Sequence, residues 1–332
     1  MLYAISLFPI LLYLLLIRSL DGFALSSIRK FLPYFCFGFI ICAVLFALAQ
    51  LLGRELSWEI VLIEEMLKYL PVAIILYRHR ISFFTETIVY GAAVGAGFAT
   101  AENLLYVFLN SAEFTIGDSI IRGFGTALLH IGCTALASSL GLVVSKLVHH
   151  KIPKPAQFAV IMCAVLPSLL IHFLYNLFLL PVFLQLILVV AVMIPMFFII
   201  NDIDNRIIHR WLDLCINNDI ALLAAMKEGK LKETAAGKYL MSIQEKFQPE
   251  RFFDIWNYVC LFLELSIAAK SRMILKEAGL DIPLDEKDHQ ENLKKIAEWK
   301  ALHKIIGPAA TMALNPIISI KSADKWVIHE LL

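Results

Sequence analysis

Residues 60–76 read IVLIEEMLKYLPVAIIL, an apolar run that carries Glu64, Glu65 and Lys68 near its middle. With its apolar flanks, the run approaches the roughly 20 residues that a helix needs to cross a bilayer. Charged side chains at membrane depth cost about 3 kcal/mol each on insertion scales, so they are rare and usually functional. The stretch therefore predicts a membrane-spanning helix that contributes to a functional site.

The whole chain has the composition of a membrane protein. Of its 332 residues, 60% are hydrophobic and 17% are charged, and the mean hydropathy is +0.76. Soluble domains average about 45–50% apolar and 25% charged residues. We predict an all-α polytopic membrane protein with about seven transmembrane helices and a C-terminal soluble helical domain. The predicted spans are residues 1–17, 32–53, 57–77, 87–109, 120–145, 156–180 and 182–200.

Charge and cysteine content narrow the partners. The hydropathy makes membrane lipid the expected environment. The net charge of +1 and the lack of a block of like charges give no reason to expect a nucleic acid partner. The six cysteines show no CxxC spacing, which argues against a disulfide framework or a cysteine zinc site. The sequence carries no signal for an oligomeric state.

Loop charges predict the orientation. Basic residues concentrate on every second connection, and cytoplasmic loops of membrane proteins carry the excess of lysine and arginine. The N-terminus is therefore expected outside, with residues 1–200 as the transmembrane bundle and residues 201–332 as a cytoplasmic helical domain. The basic loops contain Arg18, Arg29 and Lys30, then Arg78 and Arg80, then Lys146, Lys151 and Lys154; an intervening loop contains Glu113 and Asp118.

The sequence of the C-terminal region predicts helices, with residues typical of helix starts and helix ends. Pro249 is expected near a helix start and Gly279 at a helix stop. The apolar face between Phe252 and Ile267 is interpreted as the core of a soluble domain, because charged residues flank and interrupt it. No cluster of acids and histidines occurs there, so no catalytic role is predicted for the region.

Further polar residues lie in the next three predicted spans. They are Glu102 and Asn103 in the fourth span, His130 in the fifth, and His172 and Asn176 in the sixth. Counting 1.5 Å per helical residue from the outer end of each span puts Glu65, Glu102, His130 and His172 about 10 to 15 Å below the external surface. Each residue alone is compatible with a structural ion pair or an interhelical hydrogen bond, but a common depth favours one shared site.

In chain order these residues resemble the PrsW family of intramembrane proteases, within the larger group that includes the CAAX prenyl endopeptidases. Residues 64–68 resemble its EExxK motif, residues 98–103 with Tyr106 its FxxxEN segment, His130 its later histidine, and residues 172–176 its HxxxN motif. The resemblance covers residues 64–176 and does not extend to the C-terminal region. It implies an enzyme that cleaves a membrane-anchored protein substrate.

Peptide hydrolysis requires an activated water, an oxyanion donor and a proton for the leaving amine. We expect Glu65, with Glu64, to be the water-activating pair. Lys68 lies three and four residues further along the same helix, where it can offset one of the two carboxylate charges. The predicted reaction takes place near the extracytoplasmic side of the membrane.

The remaining residues are expected to act on the carbonyl group or on a metal. His130 and His172 would polarise the carbonyl or bind zinc, Asn176 would donate to the oxyanion, and Asn103 belongs to the matching motif. Glu102 would be a third carboxylate that acts as a ligand or an orienting group. Two histidines and a glutamate match a catalytic zinc set, although the residues are also compatible with a metal-free mechanism.

Two other classes of function stay open at this point. A proton-coupled transporter also concentrates glutamate and histidine at membrane depth, but it would often show internal repeats or paired broken helices, which this sequence lacks. A non-catalytic scaffold of the same fold would keep the packing glycines and lose some of the site residues, whereas none of the expected set is missing.

Overall fold

The computed structural model describes residues 1–21, 28–53, 58–78, 81, 83–148, 151–244, 247–280, 283–314, 317–318, 324 and 328. Within these ranges the regular structure is helical and contains no strand, which confirms the predicted all-α class. The chain divides into two compact units, Met1–Asn205 and Arg206–Leu332.

The helices of the first unit follow the predicted apolar runs. They are α1 Leu2–Ser19, α2 Ile28–Leu52, α3 Trp58–Tyr77, α4 Phe84–Leu109, α5 Ile116–Ile120, α6 Ala127–Val148, α7 Lys154–Met162 and α8 Leu166–Asn176. A π-helical turn, Ile121–Thr126, joins α5 to α6, and a 3-10 turn, Cys163–Val165, joins α7 to α8. The next helix, α9 Val182–Lys227, starts in the first unit and continues past Asn205.

Seven helical segments of the described chain are long and apolar enough to cross a membrane, as predicted in number. They are Leu2–Ser19, Phe31–Leu51, Phe84–Leu109, Ile116–Val148, Lys154–Asn176, Val182–Arg210 and Pro249–Glu277. The set differs from the prediction in one member. Helix α3 is outside it because of its charged residues, while Pro249–Glu277, interpreted above as the core of a soluble domain, is inside it.

Small residues on α4 allow its neighbours to approach closely. A Cβ atom built on Gly95 would lie 2.5 Å from the carbonyl oxygen of His130 on α6, and one built on Gly97 would collide with the carbonyl oxygen of Phe35 on α2. Because real Cβ atoms do not come this close to backbone oxygens, glycine is required at both positions. The close contact also brings Phe98 beside His130, with ring centroids 5.0 Å apart.

The second unit contains α10 Ala235–Gln244, α11 Pro249–Glu277 and α12 Glu286–Leu314, which is broken at Gly307. Pro249 begins α11 and Gly279 follows its end with φ of 75°, as predicted. Tyr258 of α11 stacks on Trp299 of α12 at 5.8 Å, so α11 buries an apolar face within its own unit. Lys270 is also buried there, and its ammonium lies 2.7 Å from Asp219.

Candidate active site

The first unit brings polar side chains from four helices into one cluster. Glu65 and Lys68 lie on α3, Glu102 on α4, His130 on α6 and His172 on α8. The two imidazole rings are nearly perpendicular, with centroids 4.9 Å apart. Residues that the sequence places at one depth are therefore also neighbours across the bundle.

Lys68 lies at the centre of the cluster and is fully buried. Its ammonium nitrogen is 2.5 Å from Glu65 Oε1 and 2.9 Å from His130 Nδ1. The Phe98 ring lies beneath it, 4.6 Å away. Because an ammonium group can only donate, His130 Nδ1 must accept, and the proton of a neutral His130 is therefore on Nε2.

That proton is donated to a second carboxylate. His130 Nε2 lies 3.0 Å from Glu102 Oε2, and Arg122 Nη2 lies 2.8 Å from the same oxygen. The Arg122 guanidinium also covers the Tyr106 ring at 3.6 Å and donates through Nε to Asn103 Oδ1 at 3.2 Å. Glu102 is thus held by a hydrogen bond from His130 and an ion pair with Arg122, both from the chain that follows α5.

One carboxylate oxygen of Glu65 accepts hydrogen bonds, and the other has no partner among the described residues. Its Oε1 accepts from Lys68 and from His172 Nδ1, which is 2.7 Å away. Its Oε2 is buried and has no hydrogen-bond partner among the described residues. With the Nδ1 proton of His172 donated to Glu65, the lone pair of His172 is on Nε2. Buried polar atoms are nearly always paired, so the free Glu65 oxygen indicates a place for a ligand or a water molecule.

A cavity of about 400 Å³ adjoins the cluster, and its polar lining includes Glu64, Glu102, His130, His172 and Asn176. The two neighbouring glutamates of α3 thus have different surroundings. Glu64 is half-buried and faces the cavity, whereas Glu65 is 1% exposed and does not line it. The side chains at positions 64 and 65 point about 100° apart around a helix, which accounts for the difference.

Asn103 has a different position from the other predicted site residues. It is buried, and its Nδ2 donates to the carbonyl oxygen of Ser6 at 3.0 Å. It does not line the cavity beside the cluster. Its contacts connect α4 to α1 and, through Arg122, to the π-helical turn.

Arg122 is the charged residue lining this cavity that sequence reasoning missed. It lies at the second position of the π-helical turn and lines the cavity. Single π-helical turns within α-helices are frequent at functional sites, because the extra residue redirects a side chain. The sequence feature that could have identified it is its position, because an arginine two residues inside the predicted fifth span is unusual.

Three of these side chains could hold a metal ion. The ligand atoms of Glu65, His130 and His172 all lie within 4.8 Å of one another. The set fits zinc in donor type, and His172 has the arrangement of many metal ligands, with one ring nitrogen donating to a carboxylate and the other free. Glu102, which was expected to join the histidines as a ligand, lies outside this group, and its Oε2 is engaged by Arg122 and His130. Lys68 contacts two of the three residues, so a bound cation would compete with it.

The fold and the site define a polytopic membrane protein with a glutamate and histidine centre buried in its bundle. The sequence profile of the PrsW family intramembrane metalloproteases matches residues 33–200, and the chain belongs to this family. The match ends before the second unit begins at Arg206.

Two curated relatives support the same assignment, and each is named Protease PrsW. The one from Bacillus subtilis (strain 168) is 40% identical over 75 residues, which is 22% of this chain and 31% of the relative. The one from Clostridioides difficile (strain 630) is 26% identical over 160 residues, which is 44% of this chain and 65% of the relative. The chain thus spans less than two thirds of either relative. No solved structure matches it.

The contact between Arg122 and Glu102 generates a first prediction. Arg122→Gln and Glu102→Gln should each lower the free energy of unfolding, because each leaves the other charge of a largely buried pair without its partner. The double variant should be more stable than the sum of the two losses predicts, with a coupling of about 1–3 kcal/mol. Unfolding of the purified protein in detergent, followed by circular dichroism, measures the cycle. Additive losses would show that the two side chains do not interact.

Proposed function

We propose that this protein is an intramembrane endopeptidase that hydrolyses a peptide bond of a membrane-anchored protein substrate near the extracytoplasmic side. The observation that carries the proposal is the shared cavity, into which a base, two histidines and a side-chain amide project from α3, α6 and α8. Membership of the PrsW family and the names of the two relatives support it. No observation favours the transporter or the scaffold.

Glu64 is the proposed base. It faces the cavity and has no hydrogen-bond partner among the described residues, so its carboxylate is available to accept a proton from a water molecule. Glu65 has a supporting role, since it orients His172 through Nδ1 and balances the charge of Lys68. The pair predicted from the sequence thus divides into a base and an orienting residue.

Helix α8 supplies the residue that is proposed to stabilise the carbonyl oxygen of the scissile bond. Asn176 lies one helical turn after His172 and lines the same cavity, so its amide can donate to the oxyanion that forms at the scissile carbon. If zinc is bound by Glu65, His130 and His172, it supplies Lewis-acid polarisation at this place. The proton that Glu64 accepts from water is then available for the leaving amine, so that the carboxylate serves as base and acid in turn.

A second prediction separates the two glutamates. Glu64→Gln should lower turnover of a membrane-anchored substrate by about 10²- to 10⁴-fold, the range that general acid–base catalysis contributes. Its unfolding temperature should stay close to that of the wild type, because Glu64 makes no ion pair within the described residues. The assay uses purified protein in lipid vesicles together with a single-span substrate.

Glu59→Gln is the matched control, because Glu59 is an exposed acid at the start of the same helix and lies outside the cavity. Its turnover should stay within about twofold of wild type, as expected for a surface substitution. A folded Glu64→Gln variant that cleaves as fast as this control would contradict the role of Glu64. Absence of cleavage by the wild type under conditions in which it is folded would favour the scaffold.

A third prediction concerns metal. Purified wild-type protein should retain about one zinc ion per chain, as a catalytic zinc site does, and His172→Ala should lose most of it. Asn176→Ala serves as the control, since it lines the cavity without belonging to the ligand cluster, and it should keep its zinc. Mass spectrometry of the metal content measures this directly. Equal zinc retention by His172→Ala would contradict the assignment of His172 as a ligand, and chelator-resistant cleavage by metal-free protein would decide for the metal-free mechanism.

A fourth prediction concerns orientation. We propose that the N-terminus and the segment before α5 face the outside, and that residues 201–332 form a cytoplasmic domain. In a variant without native cysteines, Glu113→Cys should react with an impermeant maleimide on intact cells, whereas Lys151→Cys should react only after permeabilisation. A reporter fused to the C-terminus should be cytoplasmic. An external reporter would contradict this topology and would indicate that α11 spans the membrane.

A further inference from the structure

A second cavity of about 400 Å³ lies on the other side of Glu64 and Glu102, between α2, α3 and α4. We call it the α2–α4 groove. Its apolar lining includes Cys42, Phe46 and Ala49 on α2 and Phe98, Leu105 and Leu109 on α4. Gln50 and Asn110 lie at its far end, where α2 and α4 finish.

The groove follows from the way in which α2 and α4 meet. Near the middle of α2 the two backbones touch, because a Cβ atom on Gly38 would collide with the carbonyl oxygen of Val94, and one on Gly97 with that of Phe35. Further along, Cys42 and Phe98 still pack together. Beyond them, Ala49 and Leu109 border open space instead of closing it. The helices thus diverge from a glycine contact towards their C-terminal ends.

The groove is continuous with the cavity beside the cluster. Ile60, Glu64, Glu102 and Tyr106 line both cavities, so the proposed base stands where the two join. A larger cavity of about 470 Å³, lined by α6, α8 and α9, shares only Tyr175 with the cavity beside the cluster and contains no carboxylate. Of these two apolar cavities, the α2–α4 groove is the one that leads to Glu64.

We propose that the α2–α4 groove binds the apolar transmembrane segment of the substrate in extended form and guides its scissile bond to Glu64. This inference rests on the proposed function and names the class of substrate: an uncharged, apolar segment of a single-span protein. Extending a helix within the membrane frees backbone N–H groups that lipid cannot satisfy. The carboxylates at the junction of the two cavities and the side-chain oxygens of Gln50 and Asn110 can accept from them.

The test is a photo-crosslinking experiment that does not depend on cleavage. The full-length Glu64→Gln protein is placed in vesicles of phosphatidylethanolamine and phosphatidylglycerol with a single-span leucine/alanine peptide that carries one benzophenone side chain. Mass spectrometry should find the crosslinks on α2 residues 42–49 and α4 residues 105–109. Ala49→Trp and, independently, Leu105→Trp should fill the groove and lower the crosslink yield about tenfold, with unfolding temperatures confirming that both variants fold.

Val192→Trp is the matched control, because Val192 lines the larger cavity and not the groove, and its yield should stay within about twofold. Crosslinks concentrated around the larger cavity, or spread evenly over the helices as for a bulk lipid neighbour, would overturn the inference. So would an unchanged yield in both folded tryptophan variants. Because the readout is binding, crosslinks in the groove together with a folded wild-type protein that does not cleave would refute the proposed function and leave the groove assignment intact.

Discussion

The burial of the Lys68 ammonium group is the constraint on which the rest of this site depends. An unpaired charge in a low-dielectric interior costs several kcal/mol, so partners must be brought to it from other parts of the chain. Glu65 supplies the negative charge and His130 supplies an acceptor from α6. His172 then reaches Glu65 from α8. One buried cation thereby fixes the positions of three helices and the protonation of two imidazoles.

The same constraint separates the roles of the two adjacent glutamates. Since neighbouring residues point about 100° apart on a helix, only one of them can face Lys68 and the interior. Glu65 does so, and Glu64 is left to face the cavity. A buried ion pair is weak support for stability, because well-packed apolar residues can often replace it without loss. The role that we propose for this pair is to position the groups of the site.

Much of this arrangement could be predicted from the sequence. Apolar runs located the helices of the first unit, and counting residues from their ends placed Glu65, Glu102, His130 and His172 at one depth. Depth does not reveal rotation about the helix axis, so the sequence could not show which glutamate faces the cavity. Spacing was equally indecisive, since Lys68 is one turn from both Glu64 and Glu65.

Other features depended on contacts that no pattern encodes. No sequence pattern identifies the π-helical turn that carries Arg122. The turn changes which residues of the fifth span face the site. By length and hydropathy, α11 is a candidate membrane span and α3 is not, which is the reverse of the prediction for both helices. The charges of α3 belong to the buried cluster, whereas the apolar face of α11 packs on α12 within the second unit.

We propose that the Lys68–Glu65 pair serves the chemistry of the site and not the stability of the fold. The most direct measurement compares unfolding temperature and substrate cleavage for Lys68→Met and for the double variant Glu65→Gln with Lys68→Met. The single variant leaves Glu65 buried without its counter-charge, while the double variant is neutral and keeps an acceptor for His172. We predict that the double variant unfolds close to the wild-type temperature and above the single variant, and that neither cleaves substrate. A double variant that still cleaves, or that is the least stable of the three proteins, would contradict this account.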